Sequence, residues 1–143
     1  MQIHDISAYQ TSAEHFFERL QAWKTDLVLD VRLHNTNQLA GFTKEQDLDY
    51  FVREIEDATY VHDPEFSPTA NDLSAYLHKT MSWQDYAAAY KRDLQERNAV
   101  ADFFKKYGSY NSVAIVGTAT DKRRSHAEVL VEVLTEALPN FSS

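Results

Sequence analysis

The chain has 143 residues, 43% of them hydrophobic, and no cysteine, which suits one domain over residues 1–143 with its own core and excludes disulfides and thiolate chemistry. Its net charge of −8 argues against a surface that grips nucleic acid broadly through phosphates. It holds no run of about 18 apolar residues, and its opening lacks a basic stretch followed by an apolar one, so no membrane span or secretory signal is expected and the cytoplasm is the expected compartment.

Residues 3–6 alternate apolar and polar and predict a first strand. Thr11-x-x-Glu14 reads as a capping box for a helix over about residues 12–24, with Phe16, Phe17, Leu20 and Trp23 at helical spacing. Residues 27–31 (LVLDV) are nearly all apolar, as in a strand buried on both faces. Residues 32–42 are polar and aperiodic and predict a loop. Thr43-x-x-Gln46 is a second capping box, followed by Leu48, Phe51, Val52 and Ile55 on one helical face. Residues 58–62 (ATYVH) predict a third strand, and Pro64 and Pro68 mark an excursion after it.

Asn71 is the expected cap of a short helix ending near His78. Ser82-x-x-Asp85 opens a longer one, with a break expected near residues 96–98 and Gly108 as its C-cap. Residues 112–116 (SVAIV) predict another buried strand and residues 117–125 a polar loop. A final helix over residues 126–138 follows, stopped by Pro139. Strands alternating with helices predict an α/β fold: a three-layer open sheet, mostly parallel, of about four to five strands with helices on both faces.

Ligands of such sheets sit outside the carboxyl ends of the strands, so the residues there are the candidates for chemistry. Asp30 stands in an otherwise apolar strand with Arg32 on the same side of the chain. Two readings stay open: a structural ion pair, or an Arg32 presented to an anionic ligand. Lys122, Arg123 and Arg124 precede a helix N-terminus, where the dipole disfavours cations. An anion held there together with Ser125, Thr118 or His126 explains them, and so does a solvated loop. His62, Asp63 and Glu65 match no tight metal-ligand spacing, and no metal site is expected. The glycine-rich nucleotide motifs and the nucleophile elbow are absent, and no cofactor is implied. Trp83, Tyr86 and Tyr90 line a groove if their helix is an exposed lid, and belong to the core otherwise.

The LVLDVR segment, then Phe42, Lys44 and Leu48, then Tyr60 and His62, the DYAAAY segment and the late strand with its charged loop together resemble the domain-of-unknown-function 488 family over almost the whole chain. The resemblance implies a small α/β domain without an agreed activity and puts Asp30, Arg32, His62 and Glu65 at the family's polar positions. The chain departs from the family's pattern at Ser7, where a small residue is usual, and at Gly117, where a cysteine is usual. It departs again at Ser125-His126-Ala127, where the family has Cys-His-Arg. Family chemistry that needs a thiolate is therefore absent, and Arg123 or Arg124 is the available substitute for the lost guanidinium.

Three functions follow as expectations. One is a module binding an anionic small molecule or nucleic-acid end, such as a nucleotide or phosphate, through Arg32 and residues 122–125. A second is a hydrolase or lyase with His62 or His126 as acid/base and Asp30 or Glu65 as its carboxylate partner. A third is an interaction protein without a small ligand, displaying Trp83, Tyr86 and Tyr90. Homo-oligomerisation stays open.

Overall fold

The computed structural model describes residues 1–34 and 38–141, and of residues 38–40 the backbone alone; the rest of the loop predicted over residues 32–42 lies outside the described residues. Four strands, β1 (Gln2–Ser7), β2 (Leu27–Asp30), β3 (Thr59–His62) and β4 (Ser112–Gly117), form an open sheet in the order β1-β4-β2-β3, and every pair is parallel. Among the described residues six α-helices surround it: α1 (Ala13–Ala22), α2 (Glu45–Glu56), α3 (Ala70–Leu77), α4 (Trp83–Glu96), α5 (Ala99–Tyr107) and α6 (His126–Phe141).

The central strands β2 and β4 are buried throughout, which is why they read as apolar runs. Period two sends their side chains to opposite cores. Val28, Ala114 and Val116 pack with Phe16, Phe17 and Leu20 of α1 and Leu48 and Val52 of α2. Leu27, Leu29, Val113 and Ile115 pack with α4, α5 and α6 through Leu94, Phe103, Leu130 and Leu134. The protein is thus a three-layer α/β sandwich. Among the described residues no helix is long and apolar enough to cross a membrane.

Several helix ends differ from the sequence reading. Ser12, not Thr11, caps α1 by accepting from the His15 amide at 3.1 Å. Thr43 does not cap α2: its hydroxyl donates to the Ala8 carbonyl at 3.1 Å, a partner far away in sequence, and Lys44 is left at the cap position. Thr69, not Asn71, caps α3. Between α4 and α5 the break falls at Asn98, which takes a left-handed conformation with φ 55°. Gly108 caps α5 in the right-handed region at φ −64°, so left-handed freedom is not what it supplies. Nor does Pro139 stop α6, which runs to Phe141. There Phe141 stacks on Phe104 of α5 at 4.5 Å between ring centres, and that contact holds the last turn beyond the missing N–H.

Tyr86 and Tyr90 are buried, and Trp83 is half-buried. Tyr90 donates its hydroxyl to the Phe66 carbonyl at 2.5 Å, and Tyr86 stacks on Tyr76. The exposed aromatic face that an interaction protein would display on α4 is therefore absent, because α3 and the Phe66 segment cover it.

Candidate functional site

At the carboxyl end of β2 the chain leaves the sheet with its charges turned inward. Asp30 and Arg32 are 0% and 1% exposed and meet in a bidentate pair, Arg32 Nε donating to Asp30 Oδ1 at 2.9 Å and Nη2 to Oδ2 at 2.7 Å. Tyr60, on β3 beside β2, donates its hydroxyl to Asp30 Oδ2 at 2.6 Å, and Arg32 Nη2 also reaches the Thr43 carbonyl at 2.5 Å. Burial alone would raise the Asp30 carboxyl, but the Arg32 hydrogen bonds and charge, with Tyr60, hold it below the usual carboxylate range. Burial works against the Arg32 cation too, and Asp30 outweighs it. The pair as a whole is neutral.

Two histidines clamp the backbone of the same segment. His126, at the start of α6, bonds through Nε2 to the Val31 carbonyl at 2.7 Å, and His62, at the end of β3, through Nε2 to the Arg32 carbonyl at 2.8 Å. A carbonyl only accepts, so Nε2 carries the proton in both. For His126, burial dominates the opposing pull of that hydrogen bond and of Asp30, and lowers its pKa to about 4. It is a neutral ring at pH 7 whose Nδ1 is an acceptor.

Arg32 and His126 line one cleft of about 220 Å³ at the carboxyl ends of the strands. Thr118 and Arg123, from the loop after β4, Tyr9, from the segment after β1, and His34, after β2, complete its polar wall; Leu33, Leu73 and Leu77 supply an apolar one. Among the described residues Arg32 Nη1 and His126 Nδ1 are buried and have no hydrogen-bond partner. Buried polar atoms without partners are uncommon.

Other candidates stand elsewhere. Ser125 Oγ accepts from the Thr118 and Ala127 amides at 3.1 and 3.2 Å, so it seals the start of α6 from within. Arg124 pairs with Glu128 and lies over the Trp83 ring at 4.5 Å. Lys122 lines the adjoining groove with Arg123. Glu65 faces Lys106 at 3.3 Å, and the carboxylate nearest His62 Nδ1 is Glu45 at 3.9 Å. No His–carboxylate pair forms from His62 or His126 with Asp30 or Glu65, because a carbonyl, Arg32 or Lys106 already holds each. Among the described residues no three His, Asp or Glu side chains converge as a metal-ligand group.

Sequence reading placed Tyr9 after the first strand and Tyr60 in the family resemblance, gave neither a role in the site, and missed the leucine wall. Tyr60 had a signal: it pairs with Val28, two residues before Asp30, and so shares the face of Asp30. Leu73 and Leu77 on α3 had none, since only the return of that helix to the strand ends puts them there.

A family model described as Domain of unknown function DUF488 matches residues 12–134. No match was found among the curated proteins or among the solved structures. Where the family pattern has a late cysteine, Gly117 brings β4 close to the start of α6. A Cβ there would stand 2.5 Å from both Ser125 Oγ and Ala127 Cβ.

Proposed function

The chain belongs to the domain-of-unknown-function 488 family, and on that premise we propose that it binds an anionic small molecule in the cleft at the carboxyl ends of its strands. The observation that carries this reading is the guanidinium of Arg123 on a cleft at the carboxyl ends of the strands, with Thr118 and His34 beside it in the lining. The side chain of Arg123 has no ion-pair partner among the described residues, and no acidic side chain lines the cleft to compete with a ligand for it. Acid–base catalysis by His126 has less support: a ring with a pKa of about 4 is a poor proton carrier at pH 7.

Calorimetric titration with inorganic phosphate, pyrophosphate and the nucleoside 5′-monophosphates tests the proposal. At least one is expected to bind, and Arg123→Ala to weaken it about tenfold. Binding that Arg123→Ala leaves unchanged, or no binding across the panel, contradicts it.

A further inference from the structure

The two edges of the sheet differ in what they offer to another strand. At β3 the Thr59 and Asp63 amides donate to the Asp26 and Asp30 carbonyls beside them, so only Tyr60 and His62 turn their backbone outward before Pro64. So short an edge is a poor template. β1 is longer, with β4 on one side and, among the described residues, no strand on the other. The Gln2 and Ala8 amides donate to the Asn111 and Gly117 carbonyls at the two ends of β4, at 2.8 and 2.9 Å. Backbone direction alternates along a strand, so His4 and Ile6 also face β4, while Ile3, Asp5 and Ser7 turn N–H and C=O outward. β1 contains no proline, glycine or lysine, and its register with β4 is unbroken by a bulge.

These outward residues set one register for pairing with a second copy of the chain. Two β1 strands related by a two-fold axis run antiparallel. The register that uses Ile3, Asp5 and Ser7 together puts Asp5 opposite Asp5 of the second copy, with Ile3 opposite Ser7 on either side. Asp5 therefore meets itself at the centre, with the two Cα atoms about 5.5 Å apart. Like charges directly opposite each other destabilise a strand pair. Ile3 packs into the core that α6 covers, and Asp5, two residues on, lies on the same face. There Glu128 of α6 adds negative charge, and the opposing pulls of His4 and of Arg19 are each weaker. The Asp5 carboxylate also accepts from its own amide, which occupies the central donor that a second strand would need.

We propose that Asp5 keeps the outer edge of β1 from pairing with a second copy of the chain, and that the edge is otherwise built to pair.

The test measures mass by light scattering after size exclusion, and amide hydrogen exchange, on the full chain and on Asp5→Thr and Asp5→Lys. Thr removes the charge and suits a strand. Asp5→Thr is expected to move towards about twice the mass of the parent as its concentration rises, and its Ile3 and Ser7 amides to exchange about tenfold more slowly than the parent's. Asp5→Lys puts like charges back at the centre of the seam and is expected to keep the parent's mass and its fast exchange. If Asp5→Thr does not fold, Asp5→Asn, closest in shape, takes its place with the same expected result. A neutral variant with the parent's mass and exchange overturns the proposal, and so does a Lys variant that associates as the neutral one does. Association that leaves the Ile3 and Ser7 amides fast places the contact elsewhere and overturns it too, as does slow exchange of those amides in the parent.

Discussion

Asp30 and Arg32 show how much a two-residue spacing can decide. Two positions apart at a strand end, they share a side and close a bidentate pair, and full burial makes each depend on the other. Arg32→Met alone strands a buried carboxylate and is expected to cost about 3–5 kcal/mol in urea denaturation. The double variant Asp30→Leu/Arg32→Met is expected to recover most of that loss, because two apolar side chains leave no buried charge. A single variant within about 1 kcal/mol of the parent would show that the pair is hydrated and not sealed. His126 makes a pH prediction. Its folded pKa of about 4 lies below the ordinary 6.5, so the unfolded chain takes up the proton first as pH falls. Stability contributed by the neutral ring is full above the unfolded value and is lost through that window, by about 2 kcal/mol between pH values of about 7 and 4.5. His126→Phe should flatten this part of the stability profile relative to the parent. Parallel profiles would mean that the ring titrates normally.

At the scale of elements, Gly117 and the start of α6 are the tightest junction near the site. Gly117→Ala places a Cβ 2.5 Å from Ser125 Oγ and Ala127 Cβ, so β4 and α6 must separate. A loss of about 1–3 kcal/mol is expected in thermal or urea unfolding; an unchanged midpoint would contradict the close packing described. Strands and helices were legible because their apolar periods are strong, as in LVLDV and SVAIV. Their ends were less so. Adjacent hydroxyls such as Thr11 and Ser12 satisfy the same capping pattern, and only the path of the backbone decides between them. Thr43 fits a capping box perfectly in sequence, yet its hydroxyl is drawn to Ala8, a contact that no local window contains. Pro139 reads as a stop, and the Phe141–Phe104 stack overrides it.

In the whole molecule, parallel pairing in the order β1-β4-β2-β3 sets the carboxyl end of β2 beside that of β4. That is why Arg32 meets Thr118, Arg123 and His126 in one cleft, although some 90 residues of chain separate them. The sequence showed these side chains as a set because each follows a strand. It could not show that Glu65 turns to Lys106, or that Arg124 lies over Trp83, since those partners lie on helices whose docking is a tertiary matter; the Arg124–Glu128 pair, four residues apart, is local. The most direct measurement is an amide NMR titration of the ¹⁵N-labelled chain with the nucleoside 5′-monophosphates. Shifts gathered at Leu33, Thr118, Lys122, Arg123 and the first turn of α6 are the result this account predicts. Shifts gathered instead around Ser12, His15 and Arg19, in the groove beyond β1, or no shifts at millimolar ligand, would contradict it.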